Sequence, residues 1–272
     1  LISCREYVSK QKQQLKTVIG SLKKAPKLCV VQIGCDDASD RYVRNKKKDC
    51  EEIGVEFEHV HIKNYEEMSQ EDIVLVLETL NSDFDVNGII IQLPIPDKFD
   101  VGELQQCISP KKDVDGFRTD SFFKPCTPAG IMEWLKYNNF DFIGKDVVVV
   151  GRSKIVGKPL VNMLIDEGAT VTCCNSKSLV GYYLDNAELI ISAIGKPKYF
   201  DSATSWRNAK VIVDVGINLD ENSKLCGDIN KEEIETYYND VYITPVPGGV
   251  GLLTRLALIK NVVWAYMVQQ EN

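Results

Sequence analysis

Ser39, Tyr42, Lys46 and Asp49 follow one another at intervals of three, four and three residues, the spacing that sets four side chains on one face of a helix. A lysine amine one turn from a phenol can share or relay a proton once the site is partly withdrawn from water and the amine pKa falls toward neutrality. Taken alone, Lys46 reads more readily as part of a solvated basic face with Lys47 and Lys48, since exposed lysine is the norm. Gln92 closes the apolar run from Asn87 to Leu93, just ahead of Pro94. An amide at the carboxyl end of a buried strand is placed to orient a catalytic group, and equally to satisfy loop backbone. Asp113 and Asp115, in K-D-V-D-G-F, suit a metal or a paired hydrogen-bond grip on an amino-heterocycle, but an Asp-Gly turn is the favoured reading of those residues by themselves. His59 and His61 alternate on one strand face without further ligands, so they read as surface or core residues and no metal is expected. There is no Ser-His-Asp set, nucleophile elbow or Walker loop, which argues against serine hydrolysis and phosphoryl transfer from ATP.

A second group of residues points to a dinucleotide. In G-K-D-V-V-V-V-G-R-S-K-I-V-G, from Gly144 to Gly157, a β-branched run leads into a glycine turn and a helix start. Ser153 stands where the second glycine of G-x-G-x-x-G belongs, so the stretch alone fits a cofactor loop and a plain strand-to-helix turn equally. No Asp or Glu follows the next strand, which ends at Cys174-Asn175-Ser176-Lys177. Arg152, Ser176 and Lys177 instead offer charge and donors for a ribose 2′-phosphate, which favours NADP over NAD. The loop T-P-V-P-G-G-V-G-L-L-T, Thr244 to Thr254, bends through prolines and glycines into the last helix and exposes backbone N–H groups there, more in keeping with a ligand contact than with a mere turn.

These residues need elements to hold them. Residues 5–24 read as an amphipathic helix. Strands follow at 27–34, 55–62 and 87–93, with helices at 38–52 and 69–80 between them, an alternation that implies parallel strands joined by crossover helices. Residues 94–128, rich in Pro, Lys and Asp, read as a long connection. A helix at 129–137 precedes strands at 147–150, 170–174, 189–193, 211–215 and 241–243, and an apolar helix at 252–267 closes the chain. The expected fold is α/β in two domains: an N-terminal catalytic domain, 1–118, with the closing helix 252–272 packing back onto it, and a C-terminal Rossmann-like domain, 119–251, with a cleft between them. A chain of 272 residues with 44% apolar and 26% charged residues fits a globular enzyme or binding protein. Its net charge of -7 argues against sequence-independent nucleic-acid binding, the cluster Arg41, Arg44, Lys46, Lys47 and Lys48 being the one exception. Nine cysteines, an odd set without C-x-x-C spacing, read as reduced thiols in a cytoplasmic protein. No apolar run approaches the ~18 residues of a membrane span, and the first residues do not read as a signal peptide.

The motifs A-S-D-R-Y-V-R-N-K-K-K, G-I-I-I-Q-L-P-I-P, K-K-D-V-D-G-F, P-C-T-P-A-G, V-V-V-V-G-R-S-K-I-V-G-K-P and T-P-V-P-G-G-V-G, in this order and spacing, resemble the methylenetetrahydrofolate dehydrogenase/cyclohydrolase family along essentially the whole chain. The resemblance implies NADP-dependent oxidation of 5,10-methylenetetrahydrofolate to the methenyl form and its hydrolysis to 10-formyltetrahydrofolate, within one-carbon metabolism and purine biosynthesis. It implies that Lys46 is the catalytic lysine, Tyr42 its neighbour over the folate, Gln92 the amide that positions it and Asp115 the anchor of the pterin ring. Ile91, Leu93, Pro247, Gly248, Gly249, Val250 and Gly251 would complete the folate contacts. Gly151, Arg152, Ser153, Ser176, Ile217 and Thr254 would contact NADP, and the protein would be a homodimer. Three departures stand out: Asn175 replaces the family's usual His, Leu252 and Leu253 replace Pro-Met, and there is no room for an appended formyl-folate ligase region. The alternatives are a monofunctional dehydrogenase, a shikimate-dehydrogenase-type NADP oxidoreductase using a Lys-Asp pair, and a non-catalytic nucleotide-binding protein on the same fold.

Overall fold

The computed structural model describes residues 1–270. They form two compact units, one of Leu1–Ser9 with Thr127–Thr254, the other of Lys10–Cys126 with the chain from Arg255 onward. Helix α1 (Cys4–Gly20) opens the chain and stops at the glycine, short of residue 24. Strand β1 (Lys27–Ile33), helix α2 (Asp37–Ile53), strand β2 (Glu56–Ile62), helix α3 (Gln70–Ser82) and strand β3 (Gly88–Gln92) then alternate, and the strands pair parallel in the order β2-β1-β3. Side chains alternate across a strand, so the two faces of this sheet differ. Cys29, Val31, Ile33, Ile89 and Ile91 form one apolar face, buried with Ile73, Leu77 and Leu80 of α3. The other face carries Leu28, Val30 and Ile90 within the sheet and His59 beside Val30 on the outer strand, and at the carboxyl ends the register sets His61, Gln32 and Gln92 abreast.

Local chemistry fixes the helices. Asp36 caps α2 by accepting the Ser39 N–H at 2.7 Å, and Gly54, at φ 89°, ends it with a left-handed turn. Ser69 and Asp72 form a reciprocal capping box at the start of α3. The stretch 94–128 is more ordered than its composition suggests. It contains helix α4 (Val101–Cys107), started by the Asp100 cap, and the buried Lys112, whose ammonium donates to the carbonyls of Leu80, Asn81 and Asp83 at the end of α3. Proline and charge count hid a helix of about two turns that is defined by its cap and by the buried Leu104.

In the other unit, helix α5 (Cys126–Tyr137) precedes strand β4 (Asp146–Val150), helix α6 (Gly157–Asp166), strand β5 (Thr170–Cys174), helix α7 (Val180–Leu184), strand β6 (Leu189–Ser192) and strand β7 (Val211–Asp214). A short antiparallel pair, β8 (Asn218–Leu219) with β9 (Leu225–Cys226), helix α8 (Lys231–Tyr237) and strand β10 (Tyr242–Ile243) complete it. The sheet is wholly parallel in the order β10-β7-β6-β4-β5, the doubly wound 2-1-3-4-5 arrangement with its switch point between β4 and β6. Val148, Val150, Ile190 and Ile212 of the strands pack with Phe200, Trp206 and Ile234. Helix α9 (Val250–Gln270) closes the chain. Contrary to the expectation from the sequence, α9 is long and apolar enough to cross a membrane, but more than half of its apolar stretch is buried inside the protein, which accounts for that composition.

Two buried aspartates hold the loops at the carboxyl end of this second sheet. Asp228 is fully buried and accepts from Ser192 Oγ, Asn218 Nδ2 and the backbone N–H groups of Ile194 and Lys196, all at 2.8–3.0 Å. Asp214 accepts from the N–H groups of Gly216, Asp228 and Ile229, and its carboxyl pKa is pushed up to about 6, chiefly by burial. The two interlock through glycine: a Cβ on Gly216 would stand 2.3 Å from Asp228 Oδ1, and one on Gly227 only 1.8 Å from Asp214 Oδ2. Asp228→Ala therefore strands several buried donors at once, at a cost of ~1–3 kcal/mol each. Urea denaturation of that variant is expected to show a loss of about 3 kcal/mol or more; a loss below about 1 kcal/mol would mean that water replaces the carboxylate without penalty.

Candidate active site

The four residues of the α2 stripe do not share one environment. Ser39 is buried, with its hydroxyl 3.4 Å from the Leu93 carbonyl, and Asp49 is buried at the far end, whereas Tyr42 is 38% exposed. Lys46, half-buried between them, donates from Nζ to Gln92 Oε1 at 2.7 Å. The Gln92 amide has one orientation that serves both ends, because its Nε2 donates to the Leu93 carbonyl at 2.7 Å and so turns Oε1 toward the amine. The sequence reading of Lys46 as a solvated lysine is thus replaced by a withdrawn amine with a neutral acceptor. Desolvation lowers its pKa below the ordinary amine range, and the nearby Arg255 acts in the same direction, while Asp115 opposes both.

Asp115 stands close enough to Lys46 for each to act on the other, and burial raises its carboxyl pKa against that attraction. The Asp113–Asp115 pair is not a pair in space-sharing terms. Asp113 accepts the Arg118 backbone N–H at 2.9 Å, as a turn residue does, while Asp115 engages the Cys126 thiol. Gly116, at φ 73°, is required directly after Asp115, since a Cβ there would lie 2.6 Å from the Lys124 carbonyl carbon. Asn261 of α9 donates to the Val114 carbonyl at 2.8 Å and reaches Cys126 Sγ at 3.6 Å, so the closing helix fixes the Asp115 turn. Asp49 receives Lys12 at 2.6 Å and Arg255 Nε at 2.8 Å. Arg255 and Asn261 had no motif to mark them, and Cys126, although it lies in P-C-T-P-A-G, was assigned no role; only the fold brings Arg255 and Cys126 near Lys46 and sets Asn261 against Cys126.

Ile91 is not on this side. Its side chain lies in the apolar core against α3, the opposite face from Gln92, and Leu93 enters the site through its carbonyl. No group of three or more candidate metal ligands exists among the described residues.

In the other unit the remaining residues stand at the carboxyl ends of strands. Gly151, at φ 121°, follows β4 at the switch point; a Cβ there would meet the Ala193 carbonyl oxygen at 2.3 Å, and one on Gly157 would meet the Gly151 oxygen at 2.1 Å. Both glycines are therefore needed for the turn to pass β6 and enter α6. Ser153, in the place of the missing glycine, accepts from the N–H of Val156 at 3.1 Å and of Gly157 at 3.4 Å and so starts that helix. Arg152 is exposed beside it, and Ser176 is exposed beyond β5, where Asn175 Oδ1 takes the Lys177 N–H at 2.7 Å and shapes the turn. Ile217 is 49% exposed between β7 and β8. The Thr244–Thr254 loop turns through Gly248, at φ 104°, and Gly249, where a Cβ would lie 2.4 Å from the Pro245 oxygen. Pro247 and Gly251 are exposed and Val250 is buried. Thr254 Oγ1 meets Thr127 Oγ1 at 3.0 Å, and Gly130 packs against the backbone of the fully buried Leu253, which joins the P-C-T-P-A-G and glycine-loop motifs. The fold thus seats Leu253 in its core. Sequence reasoning missed Asp214 and Asp228, although the reciprocal spacing of Asp214 with Gly216 and of Gly227 with Asp228 was there to see.

Residues 2–115 match the tetrahydrofolate dehydrogenase/cyclohydrolase catalytic domain, and residues 125–270 match the NAD(P)-binding domain of the same family. The bifunctional protein FolD of Agathobacter rectalis is 43% identical over 267 residues, 93% of this chain and 94% of that protein. Among solved structures, the bifunctional FolD methylenetetrahydrofolate dehydrogenase/cyclohydrolase of Campylobacter jejuni is 36% identical with a TM-score of 0.89, covering 98% of both chains. The Trypanosoma brucei methylenetetrahydrofolate dehydrogenase-cyclohydrolase, solved with NADP cofactor and inhibitor, is 27% identical with a TM-score of 0.90, covering 100% of this chain and 98% of that one.

Because Arg255 and desolvation both favour the neutral amine of Lys46, Arg255→Met is expected to raise the pKa of that amine. The midpoint of pH-dependent acylation of Lys46, followed by peptide mass spectrometry, moves to higher pH in the variant; an unmoved or lower midpoint contradicts the electrostatic role of Arg255.

Proposed function

The chain belongs to the tetrahydrofolate dehydrogenase/cyclohydrolase family, both of whose domains it matches, and from that premise we infer which residues carry its two reactions. It is a bifunctional enzyme that oxidises 5,10-methylenetetrahydrofolate to 5,10-methenyltetrahydrofolate with NADP and hydrolyses the product to 10-formyltetrahydrofolate. When bound, NADP supplies the hydride acceptor. The residues present suit it: the Gly151 and Gly157 cradle leaves no room for a Cβ, the switch point lies outside the strand ends, and Arg152 and Ser176 offer charge and a hydroxyl to a 2′-phosphate with no carboxylate opposing them. In this reading Gly151, Arg152, Ser153, Ser176, Ile217 and Thr254 form the cofactor contacts, and Pro247 to Gly251 present a bend and backbone donors to the folate.

The single observation that carries the assignment of roles is the Lys46 Nζ to Gln92 Oε1 hydrogen bond of a desolvated amine. Loss of hydride leaves a cation shared between the two folate nitrogens, so the first step needs orientation more than a base. Asp115 grips the pterin edge and Tyr42 covers the ring in that role. Water then adds to the cationic carbon. Lys46, whose pKa burial lowers, takes a proton from that water and returns one to the departing folate nitrogen as the ring opens, while the remaining hydroxyl proton passes to solvent and the formyl carbonyl forms. Gln92 holds the amine in place without neutralising it. Removing a general acid-base group slows such a step roughly a hundredfold to ten-thousandfold, so Lys46→Met is expected to lose methenyl hydrolysis by at least about a hundredfold. Separate assays of NADP reduction and of methenyl hydrolysis check this; retained hydrolysis sinks the assignment of Lys46.

We also propose that two copies pair through the open edge of β5, which lies between helices carrying the exposed Ile165, Leu179 and Tyr182. Analytical ultracentrifugation is expected to give twice the 30.6 kDa chain mass, and a monomer at micromolar concentration overturns this pairing.

A further inference from the structure

A cavity of about 440 Å³ lies between α2 and the outer strand β2, on the flank of α2 away from the Lys46 contact with β3. Its rim is cationic: Arg44 and Lys47 project from successive turns of α2, and Lys63 follows β2. Val43 and Phe57 make an apolar floor. One carboxylate, Asp40, lines it, and that group accepts the Gln32 amide N–H at 2.8 Å. The local formal charge is thus +2 with both histidines neutral, on a chain whose net charge is -7. Arg44 donates from Nε to the Asp40 backbone carbonyl at 3.2 Å, which steadies its stem, and Lys47 has only a loose 3.7 Å approach to Glu51.

His59 and His61 complete the wall, stacked with ring centroids 5.0 Å apart. The amide of Gln32 is oriented by Asp40, so its Oε1 faces His59 Nε2 at 2.9 Å; the Gly34 carbonyl faces His61 Nε2, also at 2.9 Å. Both partners are acceptors, so both Nε2 atoms carry hydrogen and Nδ1 is the ring nitrogen left to each histidine. A neutral imidazole offers only a lone pair there, whereas a protonated one offers a further N–H. The pKa of His59 is lowered by desolvation first, then by His61, with Lys47 and Lys63 adding to this and Asp40 opposing it. An anion in the cavity reverses the effect of those cations and favours proton uptake.

We propose that this cavity is a binding site for a compact, multivalent oxyanion, gripped by Arg44, Lys47 and Lys63 over a wall formed by the His59 and His61 rings. A divalent metal ion on the same two imidazoles would be opposed by three neighbouring cations. A long polyanion such as a nucleic acid would leave the cationic patch for a surface of the opposite sign. A small phosphate chain or polycarboxylate stays within it. The apolar floor suits an anion with a carbon portion, and the arginine fork suits either oxyanion geometry.

The test is isothermal titration of the full chain with tripolyphosphate and, separately, with citrate, at ~0.15 M salt so that diffuse attraction is screened. Saturable one-to-one binding of at least one probe is expected at a single fixed pH. The double variant Arg44→Glu/Lys47→Glu is expected to weaken it about tenfold or more with an unchanged melting temperature. Lys63→Glu, outside α2, provides a second variant with the same expected direction. Tripolyphosphate binding alone assigns the site to phosphates, and citrate binding alone assigns it to polycarboxylates. Failure of both probes to bind, or binding that survives both sets of charge reversals, overturns the proposal.

Discussion

A primary amine withdrawn from water must give up its proton or find an acceptor, and the acceptor decides which form it keeps. At Lys46 the direct partner is neutral, the Gln92 amide at 2.7 Å. A carboxylate in that position would hold the ammonium form through an ion pair. An amide holds the nitrogen in place and leaves its charge uncompensated, so desolvation and Arg255 can press toward the neutral base. Much of the surrounding structure serves this balance. Asp115 is buried and partly occupied by the Cys126 thiol, and Asp49, one turn along α2, is drawn away by Lys12 and Arg255. Two carboxylates sit near one amine, and each has another partner.

The three-stranded sheet makes that arrangement possible through the difference between its faces. Against α3 it is apolar to the ends of the strands, which fixes register, because a slip by one residue would put Gln32 and Gln92 into that core. Against α2 a polar row of His61, Gln32 and Gln92 crosses the carboxyl ends, where strand backbone gives way to loops, and His59 extends it along β2. The second sheet solves the same problem differently. Glycines such as Gly151 make its turns, and the buried carboxylates of Asp214, at the end of β7, and of Asp228 tie down the loops that follow β6 and β7. Backbone donors are held by fixed acceptors there, which keeps a cofactor-binding surface in shape without occupying it.

The parallel α/β alternation was legible because buried strands in such sheets are continuous β-branched runs, as at Val147–Val150 and Ile89–Ile91. Thr170–Cys174 was delimited by the sequence to the residue. Helix α4 was not legible, because seven residues hold too few periods for a pattern to emerge against Pro and Lys. Spacing put Tyr42 and Lys46 on one helix face but left Lys46 reading as solvated, and it was the resemblance of the motifs that joined them to Gln92. Arg255 and Asn261 escaped notice, and Cys126 went without a role inside P-C-T-P-A-G, because their contacts join residues far apart in sequence. Ile91 was placed with the site by its neighbours in the chain, yet the period of two along a strand sends it to the other face. Ser153 shows the reverse case: a mismatch to a glycine fingerprint became a helix cap once its hydroxyl could be seen to accept two N–H groups.

Helix α2 carries two chemistries, and its rotation about its own axis is what keeps them apart. Successive residues turn by about 100°, so Lys46 and Lys47 leave the helix in different directions, one toward Gln92 and one toward the cavity beside β2. Hydropathy cannot separate two adjacent lysines, which is why both read as one basic face. The structure sets the rotation at both ends: Asp36 fixes the first turn through Ser39, Gly54 ends the last, and the ion pairs of Asp49 clamp the side that bears Lys46. The opposite side has cations with weak or no competing carboxylates. A helix clamped in this way can withdraw one amine from solvent while leaving its neighbour in water, so that the same covalent group meets a neutral acceptor on one side and solvent on the other.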